Sequence, residues 1–499
     1  MTSSTDTSLS PQTSGQLQIT SRKKTLVIFI NRSRFMARTL QKKDRATTSS
    51  GETLCAIALA LNKPGRNNTM LKSLLFGMLI LSSSASVSAQ KPSLADTIAT
   101  YFSEVKAATT ENKNLWNYDT YAPILLVQPD TRKVYANFPD SAGVLKKQGT
   151  IFSGTLPETM ILGNTSLHWN GVDWAMVMLP LPEDIHARLN LLTHELFHRA
   201  QPHLGFIAYN PENNHLDQRE GRIYLKLELQ ALKAALLSDS RGEMLKHIAD
   251  ALTFRMYRYA IYPHADSTEN LLELNEGLAE YTGVMMSGRD QQQMRTHFVE
   301  SMHEFLKNPT FVRSFAYQTI PLYGYMLHEV NPNWNENITD RTNLTAYFLN
   351  AFDVHLPNDL KTAVAKIRDQ YGAKEIIPEE AERQQKVDKL ISEYKREFVE
   401  QPHLDVPLRH MSVQFDPRDI VPLEDEGSVY PNLRVVDDWG VLAVTKGALM
   451  SPTWKKVTVT APIQIEKGRA VGDGWTLELK DDYVVRKDTA TDNYVLKKR

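Results

Sequence analysis

His194 and His198 stand four residues apart with Glu195 between them, inside the apolar run Leu191-Leu192-Thr193-His194-Glu195-Leu196-Phe197-His198, whose pattern predicts a helix. Residues four apart on an α-helix are separated by about 40° around the axis and roughly 6 Å along it. Both imidazoles therefore reach a single metal ion. Zn²⁺ accepts neutral imidazole nitrogen, and a catalytic zinc site takes three protein ligands and keeps a fourth position for water. The ion lowers the pKa of that water to roughly 7, which makes a nucleophile at neutral pH. Glu195, beside the first histidine, is placed to take the water's proton rather than to bind the ion. The competing reading of the spacing is two surface histidines on an amphipathic helix, and a third ligand decides between the two.

The candidate lies downstream, in Leu271-Leu272-Glu273-Leu274-Asn275-Glu276-Gly277-Leu278-Ala279-Glu280-Tyr281-Thr282-Gly283. Its apolar period predicts a second helix, ended by Gly283 as a C-cap. Glu276 and Glu280 share a face of that helix. One carboxylate can bind the metal while the other accepts the free N–H of a ligating imidazole and fixes its tautomer. Gly277 removes a side chain beside the ligand, where two helices or a substrate approach closely.

Together, His194-Glu195-x-x-His198 and Asn275-Glu276-Gly277-Leu278-Ala279-Glu280-Tyr281 resemble the gluzincin peptidases, the thermolysin-like branch that includes the zinc aminopeptidases. The resemblance implies Zn²⁺ held by His194, His198 and Glu276, with Glu280 orienting a ligating histidine. It also implies a tyrosine, after the third-ligand helix, that donates to the oxyanion of the tetrahedral intermediate. Tyr317, in Ser314-Phe315-Ala316-Tyr317-Gln318-Thr319-Ile320-Pro321-Leu322-Tyr323-Gly324, is the first choice and Tyr323 the second. His198 and Glu276 are 78 residues apart (276 − 198), longer than in the aminopeptidases, so a helical insert separates the two helices. The Gly-x-Met-Glu-Asn element of those aminopeptidases is absent upstream of His194, which leaves endo- and exopeptidase action both open. Metzincin spacing is excluded, because it needs Gly seven and His ten residues after the first histidine, and Gln201 and Leu204 occupy those places. His203, one position off that register, is read as a loop residue.

The elements that must position these residues follow from periodicity. Residues 92–116 predict a helix with Leu94, Ile98, Tyr101, Phe102 and Val105 on one face. Strand-like runs follow at 122–127, 133–138, 159–162, 166–169 and 174–179, and Asn170-Gly171 is a favoured two-residue hairpin turn. A strand over 173–180 feeds the first histidine helix. By the resemblance it is a sheet edge able to pair with an extended peptide, the alternative being core sheet. The insert reads as packing helices near 219–238 and 242–262. From the second of these, Arg255 and Arg258 either reach the site, are solvated or pair with acids. Residues 378–400 read as a solvated surface helix. From 405 the texture is β-rich, with alternation at Met411, Val413 and Phe415 and strands near 433–436, 440–444, 456–460, 475–479 and 483–486. That region predicts a small sandwich or barrel, in which Trp439, Trp454 and Trp475 serve as core or as sugar platforms.

The fold class expected is α+β. A zincin-like domain over 90–400, with a small mixed sheet and many helices, precedes a small all-β domain over 401–499. Residues 1–69 are Ser/Thr-rich and basic and read as a non-native or disordered extension, with translation starting at Met70. Lys72, the apolar run 74–81 and Val87-Ser88-Ala89 make 70–89 a signal peptide cleaved before Gln90. Removing residues 1–89 leaves 45 basic against 55 acidic side chains, a net of −10, which opposes nucleic-acid binding as a main role. The single cysteine, Cys55, lies in the removed part, and no later run has the roughly 20 apolar residues of a membrane span. The expected function is an exported, periplasmic or secreted, zinc metallopeptidase acting on peptide or protein substrates. The alternative is a catalytically silent zincin-fold binding or envelope protein whose β-domain holds glycan or a protein partner. Glu195 argues against it, because a silent domain has no need of a base.

Overall fold

The computed structural model describes residues 93–499 except 159, 161 and 416–419. The expected extension and signal peptide lie outside those residues. The first described helix, α1 (Leu94–Glu111), starts at a reciprocal Ser93–Asp96 capping box and buries Ile98, Phe102 and Val105. A six-stranded sheet follows, formed by β1 (Ile124–Val127), β2 (Lys133–Ala136), β3 (Lys146–Gln148), β4 (Ile151–Thr155), β5 (Thr165–Trp169) and β6 (Val172–Met178), in the order β3-β4-β2-β1-β6-β5. The β3–β4 hairpin escapes the pattern reading because Lys146-Lys147-Gln148 is exposed throughout and carries no alternation. Asn170 and Gly171, at φ 49° and 75°, make the β5–β6 turn in the left-handed region expected of that pair.

β6 pairs with β1 in parallel and with β5 antiparallel, so it is interior. This corrects the expectation that the strand before the histidine helix is an edge. The edge on that side is β5, because the short hairpin folds one further strand onto β6.

α2 (Ile185–Ala200) follows, and its whole middle, from Arg188 to Phe197, is buried. Leu189, Leu191, Leu192 and Leu196 pack with α1 and the sheet, while Phe197 belongs to the helical core on the other side. Two apolar cores thus clamp one helix, which fixes where its polar residues point. The insert forms α3 (Arg219–Leu236) and α4 (Arg241–Ile261). Then come α5 (Ala265–Leu272), a π-helical turn at Glu273–Gly277, α6 (Leu278–Met285), α7 (Gln291–Phe305), α8 (Ala316–His328), α9 (Leu344–Ala351), α10 (Leu360–Ile367) and α11 (Ala373–Lys395). The last is not solvated throughout. Glu380 is fully buried, 3.0 Å from Arg222 and 2.5 Å from Lys226 of α3, because an acid on its inner face is matched by two cations of the insert.

Residues 403–498 form strands in two sheets, of seven and six strands. Leu404, Val457 and Val459 of one sheet and Leu433, Leu442 and Leu477 of the other share one core, the aligned-face arrangement of a sandwich. Trp439 and Trp475 are buried in it and donate to Pro407 O and Thr460 Oγ1, so they are core rather than sugar platforms. Trp454 is partly exposed and packs near Phe415 and Tyr430. The chain is therefore a mixed helix-and-sheet protein with a C-terminal all-β region. Among the described residues no helix is long and apolar enough to cross a membrane.

Candidate metal centre

The Asp184 carboxylate caps α2 by accepting from Ala187 N–H at 2.8 Å, and two turns later the helix presents His194 and His198 on one side. Their Nε2 atoms are 3.0 Å apart. Glu276 Oε2 completes a triangle, 3.7 Å from His194 Nε2 and 3.4 Å from His198 Nε2. The two distant stretches of chain meet as their residue types predict.

Both imidazoles are held from behind. His194 Nδ1 lies 2.9 Å from Glu280 Oε2, and His198 Nδ1 lies 2.8 Å from Gln201 Oε1. A carboxylate and an amide oxygen only accept, so each histidine keeps a proton on Nδ1 and turns Nε2 inward. Two imidazole nitrogens and a carboxylate oxygen then converge in a largely buried space. They repel one another unless a cation shares them. A tetrahedral ion with bonds of about 2.0–2.1 Å needs donors roughly 3.3–3.4 Å apart, and the three observed edges bracket that length. Two neutral imidazoles and one carboxylate are also a donor set that suits zinc.

The electrostatics agree. Burial alone would lower the His198 pKa, but the Glu276 carboxylate more than reverses it and, with Glu195 adding its charge, raises it to about 9. Burial pushes Glu276 up, and His198 and His194 pull it well below the usual carboxylate range. Without an ion, His198 thus holds a proton against Glu276, and a metal ion entering the site would displace that proton while being drawn by the same carboxylate.

Local backbone geometry delivers Glu276. The chain from Glu273 to Gly277 is π-helical rather than α-helical, a widened turn of the kind that recurs at functional sites. Gly277 sits against α8, where a Cβ would lie 2.5 Å from Ile320 Cγ1. The expected close approach is thus between helices. Gly283 is inside α6 and not at its cap. A Cβ there would lie 2.6 Å from Asn190 O and 3.3 Å from His194 Cβ, so this glycine lets α6 press on α2. Close packing, rather than a left-handed turn, is its reason.

Tyr317, in the first turn of α8, donates its hydroxyl proton to Glu276 Oε2, and its ring stacks on His194 at 5.7 Å. Tyr323 is elsewhere: it is fully buried and donates to Glu228 at 3.1 Å. Arg255 and Arg258 do not reach the centre and are not solvated. Arg255 binds Glu228 at 2.7 Å and Glu273 at 2.8 Å, while Arg258 binds Glu228 at 2.8 Å and Glu269 at 2.6 Å, all fully buried. Thr319 adds a 2.6 Å bond to Glu273. This network ties α3, α4, α5 and α8 to the turn that carries Glu276. Removing either arginine would leave buried carboxylates without their cation, at a cost of about 3–5 kcal/mol.

Two site residues escaped the sequence reading. Asn190 donates to Glu280 Oε1 at 3.1 Å, and Gln201 accepts from His198. The available signal was helical spacing, since Asn190 lies four residues before His194 and Gln201 three after His198. Another group, His410, Asp437 and Asp438, is geometrically capable of holding an ion. There, however, the Asp437 oxygens accept from Arg409 N at 2.8 Å and His410 N at 3.1 Å, which makes that carboxylate part of a turn. Comparison of the chain with protein-family models, curated proteins and solved structures finds no match.

Proposed function

We propose that the protein is an exported zinc metallopeptidase of gluzincin type, with the zincin arrangement in its helical and mixed-sheet part, acting on peptide or protein substrates. The observation that carries this reading is the convergence of His194 Nε2, His198 Nε2 and Glu276 Oε2 beside Glu195. A zinc ion bound there would supply Lewis acidity to the scissile carbonyl and to a water molecule.

The chain's own groups supply the remaining chemistry. Glu195 is buried one residue from His194 and close enough to His198 to act on its charge. In this reading it accepts the water proton and returns it to the leaving amine, as a general base and then a general acid. Tyr317 holds its phenol proton on Glu276 and can redirect it to a developing oxyanion. Glu280 keeps the His194 tautomer. The exposed backbone of edge strand β5 is the surface on which an extended peptide would pair.

Incubation of zinc-loaded protein with a mixed peptide library tests the reading. Cleavage by the wild type and none by Glu195→Gln supports it, and acetyl-blocked peptides then separate an endopeptidase from an aminopeptidase. Bound zinc with no cleavage of any peptide would favour a silent binding protein instead.

A further inference from the structure

Gln201 is the first residue beyond α2 and is 3% exposed. Its side chain makes polar contacts in two directions. Oε1 lies 2.8 Å from His198 Nδ1, on the helix that carries two of the three converging donors. Nε2 donates to Asn275 O at 2.9 Å and to Leu274 O at 3.3 Å, both within the π-turn that carries the third. The second contact meets a need created by the backbone. In a regular α-helix Leu278 N–H would bond to Leu274 O. Here it bonds to Glu273 O, five residues back, so the carbonyl of Leu274 loses its regular partner.

We infer that Gln201 is a positioning residue which locks the second imidazole to the turn bearing Glu276. Its acceptor end keeps the His198 proton on Nδ1 and turns Nε2 towards the centre. Its donor end fixes the distance of that imidazole from Glu276. Glutamine alone, at this length, carries an acceptor and donors on one rigid tip. Glutamate lacks the donor and methionine lacks both. The inference rests on reading the three donors as a metal centre.

The test is zinc affinity, measured by competition with a chromophoric chelator, for wild type, Gln201→Met and Gln201→Glu. Melting temperatures of the metal-free proteins and ¹⁵N NMR of the histidines accompany it. Loss of a group that orients a metal ligand weakens metal binding roughly 10–100-fold, and Gln201→Met should fall in that range. The Gln201→Glu variant offers His198 a stronger acceptor and deletes the donor to Leu274 O and Asn275 O, so a lowered melting temperature reports the donor arm. In metal-free protein, at a pH high enough to make His198 neutral, the NMR spectrum of wild type should show its proton on Nδ1, with the other tautomer gaining population in Gln201→Met. A purely structural role would lower the melting temperature and leave the tautomer alone.

Wild-type affinity in Gln201→Met would overturn the role, as would a wild-type melting temperature in Gln201→Glu, which removes the bridge. If neither variant folds, a wild-type His198 protonated at Nε2 overturns it. Wild-type protein that binds no zinc overturns the metal centre itself, and this role with it, whereas zinc uptake with unchanged variants overturns Gln201 alone.

Discussion

Glu280 Oε2 lies 2.9 Å from His194 Nδ1, one helical turn beyond Glu276. The carboxylate is itself held by Asn190, whose amide comes from the same helix as the imidazole. One face of α6 thus supports what one face of α2 presents. Glu280→Gln should weaken zinc binding roughly 10–100-fold, because an amide accepts more weakly than a carboxylate and no longer raises the basicity of His194. Metal analysis after dialysis against graded chelator checks this, and an unchanged affinity would detach Glu280 from the centre.

Glu195 carries the proton transfers in this account and binds no metal. Glu195→Gln is expected to retain stoichiometric zinc and a normal melting temperature while losing peptide hydrolysis by about 10²–10⁴-fold or more. Wild-type turnover in that variant would remove Glu195 from the mechanism.

The phenol of Tyr317 touches Glu276 and stacks on His194. Tyr317→Phe keeps the ring and deletes only the donor, so kcat should fall roughly 10²-fold while zinc affinity changes little. A variant that loses zinc but turns over normally when saturated would show that the hydroxyl orders Glu276 instead.

Gly283 is required by the space between two helices. Gly283→Ala places a methyl 2.6 Å from Asn190 O, and overpacking of this kind costs about 1–3 kcal/mol. Because His194 Cβ is a neighbour as well, zinc affinity should fall together with the melting temperature. Thermal denaturation with and without zinc distinguishes the two effects, and a variant unchanged in both would contradict the packing argument.

His297 supplies a pH dependence. Burial lowers its pKa from 6.5 to about 4, aided by Arg289 and opposed by Glu280 and Asp184. The folded protein therefore resists a proton that the unfolded chain takes up, so stability is full above pH 6.5 and declines as pH falls from there to about 4. The loss should be on the order of 2 kcal/mol once partial exposure is allowed for. In denaturant titrations the stability of wild type relative to His297→Gln should fall by that amount as pH drops through this range, and parallel curves would refute the assignment.

The candidate metal site is legible where residue type and helical spacing suffice. A period of 3.6 puts His194 and His198 on one helix face and gives Glu276 and Glu280 a shared face, and the structure brings these four together even though the turn carrying Glu276 is π-helical. The three-dimensional frame was less legible. β5 displaces β6 from the sheet edge through pairing that no local pattern encodes. The π-turn under Glu276 depends on contacts with Gln201 and α8, which are remote in sequence. Arg255 and Arg258 do pair with acids, one of the alternatives open from the sequence, but that the partners are Glu228, Glu269 and Glu273, from three other segments and fully buried, is not encoded locally. Single charges announce themselves in a sequence, but their partners do not.

Metal content tests the central claim most directly. Purified wild-type protein should carry one equivalent of zinc per chain, removable by chelator and restored on addition of the ion, and His198→Ala and Glu276→Gln should each lose it. A wild type without stoichiometric metal, or metal content that survives both substitutions, would contradict the account.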